Sequence, residues 1–140
     1  MGLVYQSANL VPFLTLHENV ELAAALAGRP IPAAEVDAVL SRFGLYDRRG
    51  QRPTRLSGGE QQRGALAVVF AAQPRLLLGD EITGELDRAS AAQLLDVLAA
   101  ARVATPLTII LATHDVEVAK RADRVVRLRD GRIVETEGVG

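Results

Sequence analysis

The chain has 140 residues, one domain's worth, and its 49% hydrophobic and 24% charged content is that of a globular protein able to bury a core. Its 16 basic and 17 acidic residues leave a formal net charge of -1, which removes the broad basic field that a nucleic-acid partner selects. The absence of cysteine and the presence of only two histidines, His17 and His114, exclude disulfides, thiolate metal sites and a histidine-rich metal centre.

The N-terminus, Met1 to Gln6, lacks the basic region of a signal peptide, and Gln6 stands where a myristoylation motif wants Ser or Thr. Gly2 to Tyr5 reads as the end of a short strand, and Leu10 to Pro12 as a loop passing into a helix. Thr15 caps that helix, Glu18 completes a capping box, and Gly28 ends it. From Ala33 to Phe43, Val36, Val39, Leu40 and Phe43 recur at the three-and-four spacing of one helix face, which Gly44 stops. Asp47 to Arg55 is polar, basic and proline-containing, and reads as a surface loop. After Gly59 the pattern is helical to about Gln73, where Pro74 breaks it.

Leu76-Leu77-Leu78 suits a strand covered on both faces, as in a parallel sheet. Asp87 then caps a helix from Arg88 to about Arg102, with Leu94, Leu95, Leu98 and Ala101 as its core stripe. Leu107 to Ala112 reads as a second buried strand, Asp115 to Arg121 as a short helix, and Arg124 to Leu128 as a third strand. Asp130-Gly131 turns the chain into Ile133-Val134 as a hairpin. Alternation of strand and helix from Leu76 predicts α/β with a mainly parallel sheet, and Leu16 to Gln73 predicts an inserted helical subdomain. The longest apolar stretches, Ala65 to Ala72 and Leu107 to Ala112, fall far short of the roughly 20 residues that span a bilayer. Membrane contact is therefore expected through a partner rather than by insertion.

Two segments carry chemistry. Ser57-Gly58-Gly59 at a helix start is an anion site in physical terms, because glycines let the backbone approach a phosphate and the first-turn N–H groups are unpaired. Taken alone it would be no more than an N-cap. Asp80-Glu81 at the end of an apolar strand sets two carboxylates at the carboxyl edge of a sheet, where open α/β folds bind ligands. One carboxylate that organises Mg²⁺ and a second that polarises water is what nucleoside triphosphate hydrolysis needs, although an acidic turn after a strand is common.

Leu56-Ser57-Gly58-Gly59-Glu60-Gln61-Gln62-Arg63 followed by Leu76-Leu77-Leu78-Gly79-Asp80-Glu81 resembles the signature and Walker B segments of ATP-binding cassette (ABC) ATPases. Gln6-Ser7-Ala8-Asn9-Leu10 resembles the Q-loop, Gly84-Glu85-Leu86-Asp87 the D-loop, and His114 the switch histidine, all in the family's order. The Gln6 loop and Leu16-His17-Glu18-Asn19-Val20 look most like cassettes that drive lipoprotein release or macrolide and peptide export. The resemblance implies a partial P-loop (RecA-like) sheet formed by residues 1–15 and 74–140, with a helical signature subdomain at about 16–73. It implies ATP and Mg²⁺ as cofactors, with Asp80 and Gln6 at the metal, Glu81 as general base and His114 at the γ-phosphate. By the same resemblance Gln6 would also touch the attacking water. Ser57, Gly58 and Gly59, with Glu60, Gln61 and Asp87, would serve an ATP held by the opposite cassette of a homo- or heterodimer. The implied partner is a membrane permease, and the implied location is the cytoplasmic side of the membrane.

The sequence departs from the family's pattern in ways that bear on activity. No G-x-x-x-x-G-K-[ST] phosphate loop occurs in it, and its single lysine, Lys120, follows Ala119. Ile82 stands where proline usually follows the catalytic Glu, and Val68 where the signature helix usually bears arginine. The expectation is therefore a truncated cassette, inactive alone, whose sheet has a gap between the strands at Leu107 to Ala112 and Arg124 to Leu128. The alternatives are a non-catalytic module docking on a permease or an intact cassette, and one half of a split ATPase. His17 reads as a surface residue.

Overall fold

The computed structural model of the chain describes residues 1–4, 10–104 and 106–138. Helix α1, Leu16–Leu26, starts at the expected capping box: Thr15 Oγ1 accepts from Glu18 N at 3.2 Å and Glu18 Oε2 accepts from Thr15 N at 2.7 Å. Buried Asn19 organises the loop before it, accepting from Val11 N at 2.7 Å and donating to the carbonyls of Val11, Leu14 and Thr15. A buried amide with every contact met fixes the entry angle of the helix without a desolvation penalty. Helix α2, Ala33–Arg42, buries Val36 and Leu40, and Gly28 and Gly44 close the two helices at φ of 73° and 68°.

Between Gly44 and the signature the expected loop holds two 3₁₀ turns, Tyr46–Arg48 and Pro53–Arg55. The physical reason is local: Pro53 presets the φ that opens the second turn, and Leu45, wholly buried, anchors the first. Helix α3, Gly58–Ala71, repeats the capping-box device with Ser57 and Glu60. It buries Ala65, Leu66, Ala67, Phe70 and Ala71, and beyond its cap at Ala72 the chain turns at Gln73, whose φ is 47°, before Pro74.

Strands β1 (Gly2–Val4), β2 (Leu76–Asp80) and β3 (Thr108–Ala112) form a parallel sheet in the order β1-β2-β3, with Gly2 opposite Leu77 and Leu77 opposite Ile109. One face carries Gly2, Val4, Leu77, Gly79, Ile109 and Leu111 into the core. Helix α3 lies so close there that a Cβ at Gly2 would stand 2.1 Å from Val69 Cγ1. Helix α4, Arg88–Ala104, adds Leu94, Leu95, Leu98 and Ala101 to the same core.

The other face corrects the expectation of fully covered strands. Leu78 is half-buried, Leu3 is 38% exposed and Ile110 56% exposed, and β3 alternates exposed and half-buried along its length. A run of apolar residues cannot say how many of its faces are covered; the packing of α3 against only one of them decides it. Beyond the short helix α5 (Val116–Ala119), β4 (Arg124–Arg129) and β5 (Arg132–Gly138) pair antiparallel through the expected Asp130-Gly131 turn. This hairpin forms a separate two-stranded sheet with no ladder to β3, and Leu128 and Ile133 are 70% and 67% exposed. Arg124 to Leu128 is thus no member of the parallel sheet, and among the described residues no strand pairs with it on the β3 side. Exposed ion pairs, Arg102 with Asp123 and Arg121 with Asp96, tie α4 to the segment before the hairpin. Pairs of this kind contribute little stability.

Candidate functional site

Strand β2 delivers Asp80 and Glu81 to the carboxyl edge of the sheet. Asp80 is exposed opposite Ala112, and Glu81 turns out of the strand at φ 47°, a left-handed conformation costly for a side chain other than glycine. Glu81 N donates to Ala112 O at 2.9 Å, so the turn is pinned to the end of β3. The strained turn aims the carboxylate at the next loop. Glu81 Oε1 lies 2.7 Å from His114 Nδ1 and accepts from His114 N at 3.1 Å, while Oε2 accepts from the Thr113 hydroxyl at 3.3 Å.

These contacts act on both protonation equilibria. The His114 ring, followed by burial effects in opposition, its charge and its N–H, holds Glu81 below the ordinary 4.5. The Glu81 carboxylate in turn raises His114 above 6.5, so the ring is more often cationic near neutrality than an unperturbed imidazole. The Glu81 side chain is 25% exposed and that of His114 is 86% exposed, so the histidine is free to swing toward a ligand.

A cleft of about 410 Å³ opens here, lined by Glu81, Thr83, Gly84, Leu86, His114, Asp115 and Val116. Its lining holds two carboxylates and no lysine or arginine. Such a site fits the water-activating part of a hydrolase but does not fit the grip on a triphosphate, which needs a cradle of donors and cations. Among the described residues no three His, Cys, Asp or Glu converge on a metal position. Asp80 alone suits Mg²⁺, a cation that keeps several waters and binds through one or two carboxylates with phosphate oxygens.

The signature residues do not line this cleft. Ser57 Oγ accepts from Glu60 N at 3.2 Å, Glu60 Oε2 accepts from Ser57 N at 2.8 Å, and Arg48 Nε donates to Glu60 Oε1 at 2.9 Å. Glu60 N and Gln61 N are thereby engaged, the latter by Ser57 O, and the N–H groups of Gly58 and Gly59 remain for an outside acceptor. Gln61 Nε2 donates to the carbonyls of Pro53 and Leu56, which fastens the second 3₁₀ turn to the helix and leaves its Oε1 for a ligand. Asp87 caps α4 through Ser90, with Oδ1 accepting from Ser90 N at 2.8 Å and Oδ2 from its hydroxyl at 3.0 Å. Gln6 lies outside the described residues. His17 is not a plain surface residue, being half-buried with Nε2 4.0 Å from Asp37.

Thr113 and Arg48 were not singled out in the sequence. Thr113 directly precedes His114 at the end of β3, and its hydroxyl both touches Glu81 and accepts from Asp115 N at 3.1 Å. Arg48 sits twelve positions before its partner, a spacing with no local signature.

The Ser57 N–H, and more weakly Arg48, hold Glu60 below its ordinary 4.5. A carboxyl depressed in the folded state binds fewer protons than in the unfolded chain, so its contribution is complete above about pH 4.5 and fades as pH falls through the lower folded value. Urea unfolding followed from about pH 6 to about pH 3 is expected to show a loss of stability that the Glu60→Gln protein shows less steeply. Equal pH slopes for the two proteins would remove this role.

The sequence profile of the ABC transporter family matches residues 1–84. The chain is 48% identical over 135 residues to the lipoprotein-releasing system ATP-binding protein LolD of Ruegeria pomeroyi, covering 95% of this chain and 59% of that protein. It is 44% identical over 139 residues to the macrolide export ATP-binding/permease protein MacB of Rhodospirillum rubrum, covering 98% of this chain and 21% of that protein. Among solved structures it resembles the dimeric ATP-binding cassette MJ0796 in a post-hydrolysis state bound to ADP and Pi, with a TM-score of 0.86 and 31% identity, over 99% of this chain and 62% of that one. The chain thus spans about three fifths of the LolD relative and of the cassette. The parallel three-stranded sheet with its helices is accordingly part of a P-loop NTPase fold. With its profile match and near-complete alignment to ATP-binding subunits of the LolD and MacB type, the chain belongs to the ABC transporter family.

Proposed function

We propose that the chain supplies the signature and water-activating parts of an ABC ATPase that drives export through a membrane permease. The observation that carries this reading is the Glu81 carboxylate, aimed from the end of β2 and held by His114 and Thr113 over an open cleft. In this reading Asp80 and Gln6 hold Mg²⁺, Glu81 takes the proton of the attacking water, and His114 moves from Glu81 to the γ-phosphate. Ser57, Gly58 and Gly59 present their helix N-terminus to the ATP of a facing cassette, flanked by Glu60, Gln61 and Asp87. Residues 16–73 form the helical subdomain that meets the permease on the cytoplasmic side.

The ATP grip comes from polypeptide outside these 140 residues, which hold no phosphate loop. The open edge of β3 and the bare face of Leu3, Leu78 and Ile110 suit a strand and helix from that polypeptide, since parallel sheets are stable with both faces covered. Sedimentation of the chain mixed with an intact LolD-type cassette tests the reading. Association is expected with Mg-ATP and not with Mg-ADP, and the chain alone is expected to leave a fluorescent ATP analogue unbound. Nucleotide-independent behaviour, or tight Mg-ATP binding by the chain alone, would count against it. The acidic lining of the cleft favours one second reading, a docking module without hydrolysis. That reading requires association that persists while substitution of Glu81 changes no turnover.

A further inference from the structure

We propose that Gln93, in the second turn of α4, is a positioning residue that keeps the signature helix in register with the Asp87 cap. Helices α3 and α4 meet at their N-termini on two rungs. On the first, Gly59 faces Ser90 so closely that a Cβ at position 59 would lie 3.3 Å from both Ser90 Cβ and Oγ. On the second, one turn along each helix, Arg63 Nη1 donates to Gln93 Oε1 at 2.9 Å. Ser90 is also the residue that gives both its N–H and its hydroxyl to Asp87. The first turn of α4 therefore touches the signature on one side and the Asp87 loop on the other.

Arg63 makes the second rung matter. Its Nε is buried without a hydrogen-bond partner among the described residues, so Gln93 supplies polar contact to a guanidinium already short of it. Without that acceptor the guanidinium is expected to rotate toward water, and the first rung, a van der Waals contact, would hold the first turn of α3 to α4 more loosely, although the rest of the helix stays fixed by its buried residues. The amides of Gly58 and Gly59 would then point over a wider cone. A facing phosphate needs them converged, because hydrogen bonds weaken steeply with misalignment. Gln93 touches no ligand and acts through Arg63.

This inference rests on the reading that the signature meets a phosphate, and the test separates the two. Amide hydrogen exchange of Ser57, Glu60 and Gln61, the hydrogen-bonded amides of that turn, is measured in the chain alone, and Mg-ATP-dependent association with an intact cassette is measured by sedimentation, for the parent, Gln93→Ala and Gln93→Glu. Gln93→Ala is expected to speed exchange about 3-fold and to weaken association about 5- to 10-fold, the scale of one ordinary, partly solvated hydrogen bond. Gln93→Glu keeps the acceptor and is expected to restore both to within about 2-fold. A global melting temperature unchanged among the three marks the effect as local. If Gln93→Ala alters neither exchange nor association, or Gln93→Glu rescues neither, the proposal is overturned. Faster exchange in Gln93→Ala, rescued by Gln93→Glu, in a parent that shows no ATP-dependent association would uphold the positioning contact and reject the phosphate reading.

Discussion

In an assembly that includes a phosphate loop, Glu81→Gln is expected to lower ATP turnover about 100-fold or more, the usual range for loss of a general base. Glutamine keeps the length of the side chain and an oxygen able to accept from His114 N, so the turn at φ 47° and the contact with β3 should survive. What it loses is the charge and the capacity to take a proton. In the resting geometry the carboxylate is engaged by the His114 ring and N–H, which disfavours its taking a proton. The His114 ring is the largest influence holding Glu81 below 4.5, and a more acidic carboxyl is a weaker base. On the proposed reading, a His114 that turned to a phosphate would take that influence with it, and Glu81 would regain basicity when a water needs activation. Phosphate release reads the turnover, and sedimentation in Mg-ATP, expected to be unchanged or tighter, shows that binding is intact. A variant keeping more than about a tenth of the parent rate would sink the general-base role and favour the docking module.

Much of this arrangement was legible in the sequence because its causes are local. Thr15 with Glu18 and Ser57 with Glu60 lie three residues apart, so both capping boxes can be read from the chain and both form. Gly28, Gly44 and Asp130-Gly131 mark turns by conformations that few other residues adopt. What was not legible depends on residues far apart in the chain. Leu76-Leu77-Leu78 reads the same whether one face or two is covered, and only the placement of α3 shows that Leu77 is buried while Ile110 opposite Leu78 is open. Val126, Leu128 and Ile133 are apolar enough for a core strand, yet their hairpin stands apart from β3. The same holds at the site. Order along the chain brings Glu81 and His114 together as candidates, but the raised affinity of His114 for its proton follows from a 2.7 Å contact across 33 positions.

The largest effect on stability is expected at Phe43, in the core that carries the signature helix. Phe43 is wholly buried at the end of α2, and its ring meets that of Phe70 in α3 edge-on, with centroids 5.2 Å apart and planes at 61°. Truncation to alanine removes that ring and leaves a cavity between two helices, a change that typically costs about 3–5 kcal/mol. A domain of this size has about 5–15 kcal/mol in total. This chain gains nothing from the bare face of its sheet, so Phe43→Ala, set against the lower end of that range, is expected to leave only about 0–2 kcal/mol and a measurable unfolded population without denaturant. Phe43→Leu keeps most of the volume and is expected to cost about 1–2 kcal/mol, which provides a folded comparison. Urea titration followed by far-UV circular dichroism reads both. The order of losses is also informative, because Phe43 packs against the helix that begins at Ser57 and lies outside the Glu81 cleft. In Phe43→Leu, amides of α3 should therefore exchange faster while those of β2 hold; equal acceleration in both would mean that helices and sheet unfold as one unit, so that the signature cannot be loosened without the carboxylate site.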